Sequence, residues 1–117
     1  MTVKPVILIA SGFSDQRLQP LLYGIEEEQI PYAVRTIDRT GTLAHIAHEA
    51  AIASPLSVGI AYDQQHIDVH YKNLPEDQPL FSETWGDVRK LRALGANAAR
   101  LVKGVPFKVI KEETRNE

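Results

Sequence analysis

The chain has 117 residues and a mass of 13.0 kDa, which is the size of one domain. Its 44% hydrophobic and 24% charged residues exclude a disordered or fibrous chain. The formal net charge of −2 argues against a general binder of nucleic acid or of anionic membranes, because both require a basic surface. The sequence has no cysteine, which excludes a disulfide framework, a thiolate metal site and a cysteine nucleophile.

The amino-terminal segment predicts neither export nor membrane insertion. Its apolar run from Val6 to Ala10 is too short for a signal peptide and far too short for a membrane span. We therefore expect a cytoplasmic protein without membrane contact. We also expect a single α/β domain over residues 1–110, followed by a disordered charged tail over residues 111–117.

The first half of the chain predicts two strands that alternate with two helices. Residues 5–10 form a continuous β-branched run, which is typical of a strand covered on both faces. A helical period spans residues 18–29, and residues 32–37 predict a second strand. Thr42 is the predicted N-cap of a second helix that ends at Ser54 and Pro55.

The second half predicts a hairpin and a long helix. Residues 56–62 form a third apolar strand, and the alternating residues 67–71 predict a half-exposed antiparallel neighbour. A loop marked by prolines over residues 74–81 precedes a helix over 84–103, and residues 107–110 predict a short last strand. The fold class that follows is α/β, a small three-layer sandwich with a mainly parallel sheet plus a hairpin strand.

Several polar groups are candidates for small-ligand sites. The loop Ser11–Asp15 follows the first strand, where an open sheet binds its ligands, but one glycine is far from a phosphate-binding fingerprint. A phosphoacceptor receiver domain is excluded because Asp63 has no carboxylate pair at the end of the first strand to share a metal. For the pairs His45/His48 and His66/His70 a surface role is favoured over metal binding, with His45 pairing with Glu49.

Two stretches stand out as candidate contact surfaces. Glu26, Glu27 and Glu28 end the first helix, where carboxylates oppose the helix dipole. Such a run is either a solvated face or a set of carboxylates offered to a cation or a basic partner. The stretch 94–100 is nearly free of large side chains and carries Gly95, so it predicts close packing on the chain's own sheet or on another subunit.

Four segments together resemble a known family. Residues 23–31 (YGIEEEQIP), 54–60 (SPLSVGI), 73–80 (NLPEDQPL) and 91–103 (LRALGANAARLVK) are similar to the small subunit of the glycerol and diol dehydratase reactivating factors. The four occur in the order and at the spacing of that family, from the first helix to Lys103. The resemblance is weakest in the first strand, its loop and the charged tail.

The resemblance implies a chaperone-like, non-catalytic subunit. In that family, the factor uses ATP to exchange damaged for intact cobalamin in adenosylcobalamin-dependent dehydratases. The large subunit, with an actin-like core, is the ATPase that carries ATP or ADP with Mg²⁺, and the small subunit mimics and displaces the dehydratase medium subunit. The resemblance thus implies a complex of two large and two small subunits (α2β2), with the dehydratase large subunit as a second partner. It leaves open whether the complex is associated with a bacterial microcompartment. A nucleic acid partner is not expected, because of the acidic net charge.

The resemblance also implies partner-binding residues. An acidic side chain of the small subunit reaches a metal held by the large subunit. The matching position in this sequence is Glu27, with Glu26 and Glu28 as alternatives in register. Gly95, Asn97 and Arg100 complete the predicted contact set. Two alternatives stay open at this point: a medium-type subunit of the dehydratase itself, and a free-standing binder of small anions.

Overall fold

The sequence folds into an α/β domain, which the computed structural model describes over residues 5–11, 15–36 and 40–110. The strands are β1 (Ile7–Ser11), β2 (Tyr32–Thr36), β3 (Val58–Tyr62), β4 (His66–Tyr71) and β5 (Phe81–Thr84). The α helices are α1 (Gln19–Glu27), α2 (Leu43–Ala53) and α3 (Val88–Lys103), and a short 3-10 helix, Gln16–Leu18, leads into α1.

The five strands form one sheet in the order β2-β1-β3-β4-β5. β1 is parallel to β2 and to β3, whereas β4 is antiparallel to β3 and to β5. The chain crosses from β1 outward to β2 and then back past β1 to β3. Because parallel crossovers are right-handed, these opposite directions of travel place α1 and α2 on opposite faces of the sheet. The predicted α/β class, parallel core and antiparallel hairpin are confirmed, and β5 is a strand that the pattern did not predict.

Each face of the sheet has its own core, which makes the fold three-layered. Alternate residues of the central strands point to one face or the other. The larger core lies beneath α1 and α3, and its fully buried members include Ile7, Ile9, Leu21, Ile25, Ile60, Val69 and Leu94. The smaller core lies beneath α2 and contains Val6, Leu8, Ala10, Ile46, Ala47, Ala50 and Ala61.

Helices α1 and α3 pack against each other through two glycines. A Cβ placed on Gly95 would lie 2.0 Å from the carbonyl oxygen of Leu21, and one on Gly24 would lie 2.1 Å from that of Arg92. Real Cβ atoms do not approach oxygen so closely, so only glycine permits this crossing. The packing gained offsets the roughly 1 kcal/mol that a glycine costs inside a helix. Gly95 therefore packs on α1 rather than on the sheet.

Helix α3 and strand β4 differ from the prediction for physical reasons. Helix α3 begins at Val88 because Thr84 belongs to β5 and Asp87 is the N-cap, its carboxylate accepting a hydrogen bond from Lys90 N. Val88, expected inside, is 59% exposed. Strand β4 was expected to be half-exposed, but its residues 67–70 are buried because both of its faces are covered.

The predicted last strand is absent. Residues 105–110 are irregular and run back along α3 after Gly104 ends the helix in the left-handed conformation, with φ of 72°. We call residues 105–110 the C-terminal strap. Its backbone is held by side chains of α3 rather than by a neighbouring strand. The predicted tail, residues 111–117, lies outside the described residues.

Candidate partner-binding site

Glu28, just past the end of α1, is tied to α3 by two cations. Its carboxylate accepts hydrogen bonds from Arg100 Nε at 2.9 Å and from Lys103 Nζ at 2.6 Å. The side chain is only 11% exposed. The hydrogen bonds from Lys103 and Arg100 hold the pKa of this carboxyl below its ordinary value. Glu28 is thus committed to the contact between α1 and α3.

Glu27 and Glu26 present their carboxylates at the surface. Glu27 pairs with the guanidinium of Arg92, and these two side chains are 42% and 47% exposed. Glu26 is also exposed and accepts a hydrogen bond from the hydroxyl of Tyr32 at 3.0 Å. Burial of Tyr32 and this hydrogen bond raise the pKa of the phenol.

The pairing explains why three acids can stand against the dipole of α1. Two of them meet cations of α3, which offset the unfavourable interaction with the helix terminus. The acidic run is therefore a largely covered helix–helix contact at Glu28, an exposed ion pair with Arg92 at Glu27, and an exposed carboxylate at Glu26. Sequence spacing could not show this, because Arg100 is 72 positions from Glu28.

The other predicted contact residues lie partly inside the chain. Gly95 and Asn97 are buried, the first against α1 and the second beneath the C-terminal strap. Asn97 Nδ2 donates to the carbonyl oxygen of Lys108 at 2.9 Å, and its Oδ1 accepts from Lys108 N at 2.6 Å. Direct contact of these two residues with a partner stays a prediction. What the structure shows is that they hold α1, α3 and the strap together.

Arg100 joins the same three parts. Its Nε donates to Glu28 and its Nη1 donates to the carbonyl oxygen of Pro106 at 3.0 Å. One guanidinium thus connects the end of α1 to the start of the strap. Further along, Phe107 packs edge-on against Phe81 of β5, with ring centroids 5.3 Å apart.

A surface groove lies where α1, α3 and the strap meet. It is lined by Glu27, Arg89, Arg92, Ala93, Lys108 and Val109. Sequence reasoning singled out only the first of these. Arg89 and Arg92 lie three residues apart and so share one face of α3, a signal available in the sequence. Lys108 could not be foreseen there, because the strap was expected to be a strand.

The histidines have structural roles. Nδ1 of His45 lies 2.6 Å from Oε2 of Glu76, so its partner is Glu76 and not the predicted Glu49. Nε2 of His48 contacts the carbonyl oxygen of Lys72 at 3.1 Å, and Nε2 of His70 contacts that of Glu76 at 2.9 Å. The contacts of His45 and His48 attach the segment after β4 to α2, and that of His70 attaches it to β4. His70 is fully buried, so the expected surface role is wrong for this residue.

The loop after β1 is described only in part. Residues 12–14, the centre of the predicted anion-binding loop, lie outside the described residues. Asp15 caps the 3-10 helix by accepting from Arg17 N at 2.9 Å and pairs with the side chain of Arg17 at 2.7 Å. Hydrogen bonding to Arg17 lowers the pKa of Asp15.

In residues 5–11, 15–36 and 40–110, His, Asp and Glu side chains do not converge in groups of three that could hold a metal ion. The helices of that same part of the chain are too short or too polar to traverse a bilayer.

Comparison with known proteins places this geometry in a family. Residues 4–108 match the model of the dehydratase medium subunit family, and the chain belongs to that family. It is similar to a propanediol dehydratase-reactivating factor small subunit of Citrobacter freundii, with 41% identity over 92% of this chain and 93% of the relative. It is also similar to a diol dehydratase-reactivating factor small subunit of Klebsiella michiganensis, with 46% identity over 83% and 78% of the two chains.

A solved structure shows the same likeness in three dimensions. The chain matches one chain of a diol dehydratase-reactivating factor complexed with ADP and Mg²⁺, with a TM-score of 0.86 and 44% identity. The match covers 92% of this chain and 100% of the other. The predicted resemblance to reactivating-factor small subunits is confirmed.

Proposed function

We propose that this chain is the small subunit of a chaperone-like, ATP-dependent factor that reactivates an adenosylcobalamin-dependent diol dehydratase. The observation that carries the proposal is the match to a solved reactivating factor over the full length of its chain, at 44% identity. The relatives at 41% and 46% identity are named for diol or propanediol dehydratase, which favours a diol dehydratase over a glycerol dehydratase as the client.

The mechanism we propose is subunit displacement. The family to which the chain belongs is named for the dehydratase medium subunit, so a reactivating-factor subunit of this family has the fold of the subunit that it replaces. Exchange of one for the other on the dehydratase large subunit opens a route for damaged cobalamin to leave. ATP hydrolysis is assigned to the large subunit of the factor. Two large and two small subunits form the complex, and this chain contributes binding contacts and no catalytic group. We place the complex in the cytoplasm. Where the dehydratase is enclosed in a bacterial microcompartment, we expect the complex to associate with that compartment.

Within this proposal Glu27 supplies a carboxylate to Mg²⁺ held by the large subunit. Its exposed side chain supports this assignment over Glu28, whose carboxylate is 11% exposed and already bound to two cations. Glu26 is the remaining alternative, and its carboxylate is shared with Tyr32. A carboxylate donated across the interface links subunit contact to the nucleotide state, because Mg²⁺ prefers oxygen ligands and accompanies the phosphates.

The test is a reactivation assay with purified components. Dehydratase holding a cobalamin that lacks its adenosyl group is mixed with the large subunit, this chain, Mg²⁺-ATP and intact adenosylcobalamin, and recovered dehydratase activity is measured. We expect recovery only when both subunits and ATP are present. No recovery with the complete mixture contradicts the proposal.

Matched variants test the role of Glu27 in the same assay. Glu27→Gln keeps the shape and removes the charge, whereas Glu49→Gln removes an exposed charge from α2, which packs on the opposite face of the sheet. We expect the first variant to bind the large subunit roughly tenfold more weakly and the second to bind normally. Equal affinity of both variants removes Glu27 from the interface.

The second candidate is a medium-type subunit of the dehydratase itself, which the family name favours. It predicts a stable complex with dehydratase subunits in the absence of any reactivating-factor large subunit. The reactivation assay separates the two, because a dehydratase component adds no ATP-dependent recovery.

A further inference from the structure

The groove beside Glu27 carries a charge opposite in sign to that of the chain. Arg89, Arg92 and Lys108 supply three cations and Glu27 supplies one carboxylate, which leaves a formal charge of +2. The whole chain carries −2. A positive patch on a negatively charged protein favours binding to a negatively charged surface and accelerates association with it.

The cations of α3 are placed at the unfavourable end of the helix. Arg89 and Arg92 lie in the first two turns after the N-cap Asp87, where the helix dipole is positive, and the first turn contains no acidic residue. The dipole disfavours a cation close to that end, and an anion bound nearby would offset the effect. Arg92 pairs with Glu27.

The ion pair between Glu27 and Arg92 is well suited to exchange. Both side chains are nearly half exposed, in contrast to the largely covered pair of Glu28 and Arg100. Exposed pairs contribute little to folding, so the free energy of unfolding changes little when Glu27 and Arg92 separate. In the free chain, Arg92 holds the carboxylate of Glu27 at the rim of the groove.

The third cation is held on a fixed backbone. Lys108 extends from the strap at the residue whose N–H and C=O are both bound by the buried side chain of Asn97. Its ammonium group therefore projects from an ordered position, which reduces the entropy lost on binding.

We propose that the groove formed by Glu27, Arg89, Arg92 and Lys108 receives a carboxylate-bearing surface of the large subunit. A partner carboxylate replaces Glu27 on Arg92, and the released Glu27 turns to the metal. Arg92 is thus a positioning residue that exchanges one carboxylate for another as the subunits dock. This inference rests on the proposed function, and it adds the chemistry of the partner's surface and the cations that recognise it.

The test reverses the charge of the groove. The double variant Arg92→Glu/Lys108→Glu is compared with Lys72→Glu, which reverses an exposed cation next to β4. Affinity for the large subunit with Mg²⁺-ADP is measured by calorimetry at low and at high salt. We expect the double variant to bind at least roughly tenfold more weakly at low salt and the unmodified chain to lose affinity as salt rises. Lys72→Glu should stay within about twofold of the unmodified chain.

A milder variant guards against misfolding. Arg92→Gln keeps the helix propensity and a polar side chain while it removes the charge, and its thermal unfolding is measured alongside. We expect it to weaken the complex while its unfolding midpoint stays near that of the unmodified chain.

The outcomes separate the two claims. Normal binding by the charge-reversed chain overturns this inference and leaves the proposed function intact, whereas no binding by the unmodified chain contradicts both. ADP added to the isolated small subunit provides the last arm. Heat of binding that disappears in Arg92→Gln identifies a phosphate as the occupant and overturns the assignment to a carboxylate surface.

Discussion

The carboxamide of Asn97 forms both hydrogen bonds with the backbone of Lys108 that a neighbouring strand would otherwise form. A buried side chain of α3 thereby satisfies an N–H and a C=O of an irregular segment. The C-terminal strap is positioned by this one residue and by Arg100, which binds the carbonyl oxygen of Pro106. The strap forms one wall of the groove that we assign to the partner, so this wall depends on the hydrogen bonds between Asn97 and Lys108.

Replacing Asn97 with Asp should release the strap. The carboxylate retains the acceptor for Lys108 N but sets oxygen against the Lys108 carbonyl, and it buries a charge. We expect a loss of about 2–3 kcal/mol in the free energy of unfolding. Amide hydrogen exchange at Lys108 measures the release directly. Retained protection of that amide in the variant would contradict the role given to Asn97.

Gly95→Ala should disrupt the crossing of α1 and α3. The added methyl group would lie 2.0 Å from the carbonyl oxygen of Leu21, so the helices must separate. We expect a destabilisation of about 3 kcal/mol, in contrast to the stabilisation of about 1 kcal/mol that Gly→Ala gives inside an unobstructed helix. Chemical denaturation measures whether the substitution lowers or raises the free energy of unfolding. A stabilised variant would show that the helices are not in contact there.

Glu28→Gln should lower stability in a pH-dependent way. The folded chain depresses the pKa of Glu28 through Lys103 and Arg100, so the ionised group stabilises the fold above its ordinary pKa of 4.5. We expect a loss of up to about 1 kcal/mol at neutral pH. The loss should shrink as the pH falls below 4.5, and it should vanish once the pH is below the depressed pKa of the folded chain and the unmodified carboxyl has taken up its proton. Urea unfolding across pH, with Glu49→Gln as the control, distinguishes this from a general charge effect.

Asp68→Asn should raise the free energy of unfolding, in contrast to Glu28→Gln, which should lower it. Asp68 of β4 is 4% exposed, its Oδ1 has no hydrogen-bond partner among the described residues, and burial raises its pKa. The cost of holding it ionised is present above its ordinary pKa of 3.8 and disappears below that value. We expect the amide to raise the free energy of unfolding by about 1–2 kcal/mol at neutral pH.

The expected convergence at low pH is the control for Asp68. If the gain in Asp68→Asn persists at pH values where the carboxyl is protonated, packing and not charge is the cause. The control Asp77→Asn changes the same group at an exposed position and should leave stability at neutral pH unchanged.

The parts of the fold that local pattern determines were predictable from the sequence. The apolar run of β1, the N-cap Thr42 and the alternation in β4 each depend on neighbouring residues, and all three elements are present. Strand β5 was missed because it has only four residues and follows a loop rich in proline. The burial of β4 was missed because it depends on α2, which packs over that strand from a distant part of the sequence.

Within the candidate site, sequence reasoning identified Glu26–Glu28, and the spacing of Arg89 and Arg92 was a further signal that it left unused. The three glutamates oppose the dipole at the end of α1, which indicated a function. The cations that pair with Glu27 and Glu28 lie on α3, at positions fixed by the helix crossing at Gly24 and Gly95. Lys108 enters the groove through a side-chain contact to Asn97, which no periodic pattern encodes. The ion pairs between residues far apart in the sequence could therefore be identified only from the structure.

The most direct test of the central claim is the composition of the complex that this chain forms. The chain is co-expressed with the large subunit of the reactivating factor and with the dehydratase subunits, and the purified assembly is identified by mass spectrometry. The account predicts co-elution with the reactivating-factor large subunit. Co-elution with the dehydratase subunits alone, or elution as a lone monomer, would contradict it.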